Sequence, residues 1–233
     1  MSYITRPNGT VVLKANADPA IVRVSGHSRY YLGLDLGRND PSALVLIHDE
    51  QLPAWVSTTQ QRLTARRRAV VWADRIADTN YTDLARHVAT VLAKSPLQGR
   101  TQLVVDATGL GQPFCDVLTE GGIDHYAVTM TAGQNWSRKG RKVSVAKNVL
   151  LENLATGFET GVIEIAKDLP LKDQLLLEVS SFELATTPAG NLILSGGGKG
   201  HHADMAIALA LAWFASEHLS PRAYGQRRVV GLG

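Results

Sequence analysis

Tyr30-Tyr31-Leu32-Gly33-Leu34-Asp35-Leu36-Gly37 is an apolar run with one carboxylate inside it and a glycine at its end. Its length and its stop at Gly37 predict a buried strand. The turn residues Arg38-Asn39-Asp40-Pro41 lead into a second run, Ser42-Ala43-Leu44-Val45-Leu46-Ile47, and residues 52–61 (LPAWVSTTQQ) follow. Three strands joined by short turns predict an antiparallel meander.

Beyond the meander the periods alternate. Leu84, Val88, Val91 and Leu92 recur at helical spacing. Residues 101–108 (TQLVVDAT) read as a buried strand, and 112–122 as a helix stopped by Gly121 and Gly122. A strand is expected at 125–131 and helices at 143–157 and 170–182. A hairpin is expected around Pro188–Gly190, then a last helix at 201–219. This order predicts an α/β fold: a mixed sheet, antiparallel meander plus parallel strands, flanked by helices on both faces. Residues 1–29 read as a lead-in segment with a short edge strand at Tyr3–Ile4 or Thr10–Leu13, residues 30–219 as the main domain, and residues 220–233 as a flexible basic tail.

Composition bounds the function. With 45% hydrophobic and 19% charged residues in 233, the chain can bury one sizeable core. Apolar runs are broken by charge before they reach the roughly 18 residues of a membrane span, and the N-terminus lacks the apolar stretch of a secretory signal. A lone Cys115 excludes an intrachain disulfide and a multi-cysteine zinc site, so a reducing cytoplasm is the expected location. The net charge of +3 imposes no whole-molecule basic field, and any nucleic-acid contact must rest on local charge.

Three aspartates stand out by context. Asp35 lies inside the first apolar run, Asp106 ends Leu103-Val104-Val105-Asp106, and Asp204 falls in the first turn of the last helix, after His201-His202-Ala203. Neither apolar run contains a lysine or arginine, and a buried carboxylate must meet a cation, a donor or a metal. Each alone also reads as a strand-end residue closing a turn. If the first strand is central, the strand of Asp106 beside it and the last helix across both, the three converge. Divalent cations with hard oxygen preferences, Mg²⁺ or Mn²⁺, relieve such a cluster.

Four blocks in this order resemble the nuclease domain of the large terminase subunit of tailed bacteriophages, in the ribonuclease H-like superfamily. They are Gly33-Leu34-Asp35-Leu36-Gly37 with Asp40-Pro41-Ser42-Ala43; Val104-Val105-Asp106-Ala107-Thr108-Gly109-Leu110-Gly111; Lys147–Leu151 with Gly161–Ile165; and residues 201–210. The resemblance runs from about Tyr30 to Leu219. It implies a two-metal endonuclease that cuts concatemeric viral DNA during genome packaging, with Asp35, Asp106 and Asp204 as catalytic metal ligands. Two ions ~3.5–4 Å apart then activate a water and stabilise the leaving oxygen. It further implies double-stranded DNA, a packaging ATPase, a small terminase subunit and a portal as partners, no membrane, and action in the host cytoplasm.

Departures accompany the resemblance. Many members carry a second acid directly before the last aspartate, where this chain has Ala203. Asp40 is an accessory metal ligand or a turn residue before Pro41. Gly196-Gly197-Gly198-Lys199-Gly200 is the only Gly-Lys loop and lacks the spacing of a phosphate-binding ATPase motif. The expectation is a separately encoded nuclease subunit, a piece of a longer chain, or a nuclease-like relative with another task. Residues 125–151 contain one acid-free basic stretch after Asp124, with Arg138, Lys139, Arg141, Lys142 and Lys147 as candidate DNA contacts; the plain alternative is a solvated loop. Lys199 is a further candidate. Trp136 either stacks on a base or packs on the domain, and Arg62 with Arg66-Arg67-Arg68 forms a second contact or a solvated turn. Cys115 reads as core. Competing readings are a junction resolvase or transposase-like nuclease, and a non-catalytic DNA-binding or docking module of the same fold. An actin-like sugar kinase is set aside because the chain is too short for two lobes.

Overall fold

The computed structural model describes residues 2–14, 18–37, 40–77, 80–109, 111–186, 192–195 and 203–219. Its strands are β1 (Tyr3–Thr5), β2 (Thr10–Leu13), β3 (Gly26–Asp35), β4 (Ser42–Gln51), β5 (Pro53–Trp55), β6 (Gln61–Leu63), β7 (Arg67–Ile76), β8 (Thr101–Asp106), β9 (His125–Thr131), β10 (Trp136–Lys139), β11 (Lys142–Ala146), β12 (Ile163–Ile165), β13 (Glu183–Thr186) and β14 (Leu192–Ser195). The helices are α1 (Tyr81–Ala93), α2 (Gly111–Glu120), α3 (Lys147–Glu159), α4 (Lys172–Ser180) and α5 (Asp204–Phe214), which runs on into a π-helical turn, Ala215–Leu219.

One mixed sheet organises the chain, in the order β10-β11-β9-β8-β3-β4-β7-β12. β3 lies at its centre, parallel to β8 on one side and antiparallel to β4 on the other. β9 is parallel to β8, and β4 is antiparallel to β7. The expected fold class, a mixed sheet of antiparallel meander and parallel strands between helices, is borne out. Both suggested edge strands of the lead-in exist: β1 pairs with β2, and β2 with the start of β3. The central strand opens at Gly26 rather than Tyr30.

Several elements differ from the sequence reading. The third meander strand is β7, while residues 53–55 and 61–63 make a separate small hairpin. Pro53 and the polar Ser57-Thr58-Thr59 limit the first run to three residues. The arginine-rich start of β7 disguised a strand whose Val70 and Ala73 are buried. Likewise 142–146 is a strand and not the first turn of a helix, because Val143 and Val145 alternate inward before α3 begins. The remaining helices and the β13–β14 pairing fall where periodicity puts them. The turn around Pro188–Gly190 and the 220–233 tail lie outside the described residues.

The sheet has a core on each face, set by the two-residue period of its strands. Leu32, Leu34, Leu103 and Val105 point toward α1 and α2, with Phe114 and Cys115. Tyr31, Val104 and Val128 point to the other face, where α5 lies. Among the described residues of α5, those from Met205 to Phe214 are all buried, so this helix is apolar all round and enclosed by sheet and helices. Its close seat depends on Gly33: a β-carbon there would collide with the Ala208 carbonyl oxygen and crowd the Ala212 N–H.

Candidate functional site

Asp35 and Asp106 end adjacent parallel strands. Leu34 pairs with Val105, and the next residue on each strand is the aspartate. By parity both follow Gly33 and Val104, so their carboxylates face the side of the sheet that carries α5. Asp204 is the first residue of that helix. The sequence thus brings the three acids together by ordinary means: two strands ending in step, and one helix crossing over them.

The electrostatics are those of crowded acids. The Asp35 carboxyl is pushed well above the usual carboxylate range, first by burial and then by the charges of Asp106 and Asp204. Asp35 and Asp106 stand close enough for a proton held between them to favour the protonated Asp35. Asp106 is also raised by burial, offset by hydrogen bonds from Thr108, by the neighbouring Asp35 and by the charge of Lys147. The backbone N–H of Thr108 donates to Asp106 Oδ1 at 2.8 Å, and the Thr108 hydroxyl in turn accepts from the Met130 N–H at 2.8 Å. This fixes the Asp106 rotamer. Among the described residues, no three His, Cys, Asp or Glu side chains stand as a ready-formed ligand group. Asp106 and Asp204 both act on Asp35 through their charge. The donor set itself, three carboxylates on one face, is one that a hard divalent cation satisfies in place of that shared proton.

The other candidates separate. Lys147, the first residue of α3, is exposed and within electrostatic reach of Asp106. Arg138, Lys139, Arg141 and Lys142 are exposed on the hairpin β10–β11. Arg138 and Arg141 lie over the Tyr126 ring at 4.9 and 4.5 Å, and Arg141 is ion-paired with Asp124. Asp40 is half-buried in the β3–β4 loop. Lys199 and His201-His202 lie outside the described residues. Trp136 packs edge-on against Phe214 and beside His218. Arg66–Arg68 is not a solvated turn: Arg66 holds the buried Asp49 with two bonds of 2.7 and 2.8 Å, and Arg68 is buried over the Trp213 ring. Cys115 is core.

Two residues near Asp204 escaped the sequence reading. Glu178 of α4 accepts hydrogen bonds from the backbone of α5, and Arg75 of β7 pairs with it. The available signal was an acid within the apolar Leu175-Leu176-Leu177-Glu178-Val179 of a helix.

No protein-family model matches the chain. Over 184 residues, 79% of the chain, it is 25% identical to the large terminase subunit of Thermus phage G20c and 26% identical to that of Thermus virus P23-45. The matched region spans 31% of the length of each relative. Its fold is shared with the large terminase nuclease of phage G20c with bound magnesium, at a TM-score of 0.50 and 22% identity, covering 91% of this chain and 89% of that one. The same nuclease with bound cobalt gives 0.52, at 20% identity and the same coverage. The nuclease domain of Thermus phage P74-26 gives 0.53 at 20% identity, over 81% and 80% of the two chains.

Proposed function

With its fold that of large-terminase nucleases and its sequence similar to large terminase subunits, we propose that this chain is a metal-dependent DNA endonuclease of the packaging kind. Asp35, Asp106 and Asp204 hold two divalent ions, Mg²⁺ or Mn²⁺, with Asp40 as an accessory ligand. The observation that carries the reading is the Asp35–Asp106 pair, two neighbouring carboxylates ending adjacent parallel strands, with Asp204 at the start of α5 within electrostatic reach. Magnesium and cobalt in the solved relatives support the choice of divalent ions. When bound, such ions activate a water and stabilise the leaving oxygen of a phosphodiester.

The chain's own residues supply position. Thr108 aims Asp106. Lys147 offsets the negative charge beside Asp106 and contacts a phosphate. Arg138, Lys139, Arg141 and Lys142 hold the duplex backbone along β10–β11, a sequence-tolerant grip. The natural setting is the host cytoplasm, with concatemeric viral DNA as substrate and a packaging ATPase, small terminase subunit and portal as partners.

The test is nicking of supercoiled plasmid with Mg²⁺ or Mn²⁺. Cleavage should be lost with EDTA and in D35N, D106N and D204N. Nicking that survives EDTA would sink the proposal. Ala203, where the family resemblance leads one to expect an acid, favours one second reading, a docking module without cleavage; Mn²⁺ binding with no nicking in any divalent ion is its signature.

A further inference from the structure

We propose that Glu178 is a positioning residue for Asp204, capping α5 from a neighbouring helix while Arg75 holds it in place. This rests on Asp204 being a metal ligand.

The backbone N–H groups in the first turn of a helix need acceptors, which the residue before the helix ordinarily supplies from its side chain. For α5 that residue is Ala203, which has no acceptor, and no side-chain cap is present. The following residues, Met205 to Phe214, are buried and apolar, so water does not fill the role for them. Glu178 Oε2 accepts from the Met205 N–H at 2.8 Å and from the Ala206 N–H at 3.2 Å. These are the two groups a local cap serves. The carboxylate is 5% exposed, and its other oxygen is bonded to Arg75 near the end of β7. One buried carboxylate thereby ties three elements, α4, β7 and α5, at the point where α5 begins.

The placement matters because Asp204 is the residue just ahead of the capped pair. A helix end without acceptors frays, and the first residue moves most. Glu178 and Asp204 also repel: burial raises the Glu178 carboxyl, and Asp204 adds to the rise against the two backbone donors and Arg75. A negative group so close to a metal ligand is tolerable only because Arg75 and the helix N-terminus neutralise it. A simple anchor for α5 needs no charge here, since apolar packing already surrounds that helix. A charged cap gives direction to its first turn.

The experiment compares Mn²⁺ binding, followed by the electron paramagnetic resonance of free Mn²⁺, in wild type, E178Q, D204N and the double variant, with circular dichroism to confirm folding. The expected result is an apparent Kd raised about tenfold in E178Q, the usual cost of losing an outer-shell partner. Cleavage should show a lower kcat at fixed Mn²⁺, an unchanged KM for DNA, and recovery at excess Mn²⁺. In the D204N background, E178Q should add nothing. A wild-type Kd in folded E178Q, or an equal loss with and without Asp204, would overturn the inference. Should E178Q not fold, R75K takes its place, keeping the charge but not the guanidinium fork; an unchanged Kd there is equally fatal. A wild type that binds no Mn²⁺, or a D204N that binds it normally, would instead overturn the metal-site reading beneath.

Discussion

Asp35, half-buried, and Asp49, fully buried, are acids on adjacent strands that respond to pH in opposite senses. Asp35 has its carboxyl raised by burial and by Asp106 and Asp204. Its folded pKa exceeds the unfolded value, so its stabilising contribution is complete below about 3.9 and is lost as pH rises through the folded value. Metal-free protein should therefore gain stability in D35N at pH 7, seen as a higher Tm, and added Mg²⁺ should stabilise the wild type but not the variant. Asp49 is buried too, which by itself raises its carboxyl, but hydrogen bonds from Arg66 and His27 bring it down to about 2. Its contribution is present above the unfolded value and lost as pH falls through about 2. Breaking this pair with R66M should cost about 3–5 kcal/mol by urea unfolding, because it strands a buried charge. The two were not equally legible. Asp35 and Asp106 interrupt apolar runs, and that contrast marks them. Asp49 sits in His48-Asp49-Glu50-Gln51 and reads as a solvated strand end; only the fold reveals Arg66 closing over it, its guanidinium also donating to the Ser216 carbonyl.

Among elements, α5 was legible as an alanine-rich helix lying across the strands of Asp35 and Asp106, but neither its bounds nor its exact seat was. Its alanines announce close packing, yet a helix apolar on all sides carries no face from which to tell what it touches. The structure supplies the partner, Gly33 of β3. G33A should cost about 1–3 kcal/mol through overpacking, and because α5 carries Asp204 it should lower nicking more than it lowers Tm-corrected folding would explain. The hairpin β10–β11 was legible as basic but not as strand: the four exposed residues of β10 give no inward period, and the short alternation of β11 runs straight into α3. Neutralising Arg138, Lys139, Arg141 and Lys142 together should flatten the log–log salt dependence of duplex binding by up to about 3.6, at ~0.9 per phosphate contact. Arg141 is already paired with Asp124, so its share should be the smallest. Binding measured in Ca²⁺ with intact DNA reads this directly, and an unchanged slope removes the hairpin from the DNA path.

For the molecule as a whole, the period-2 code of the sheet divides the core into two faces that are filled from different parts of the chain. The face carrying Leu32 and Val105 is covered by α1 and α2, which lie early and close in sequence. The opposite face, with Tyr31, Val104 and Val128, is sealed by α5, which follows every strand of the main sheet. This arrangement has a consequence for biosynthesis. While the chain leaves the ribosome from its N-terminal end, the part of this face that seats α5 stays bare until the residues after 203 emerge. A nascent chain is thus a sticky client for chaperones, and the two strand aspartates cannot meet the third until synthesis has passed it. Translation arrested at residue 200 should yield a polypeptide that binds a hydrophobic dye, lacks near-UV circular dichroism and is digested quickly by protease. Supplying residues 203–219 as a separate peptide should restore protection in part. The proposed metal site therefore cannot assemble before the third aspartate has been made.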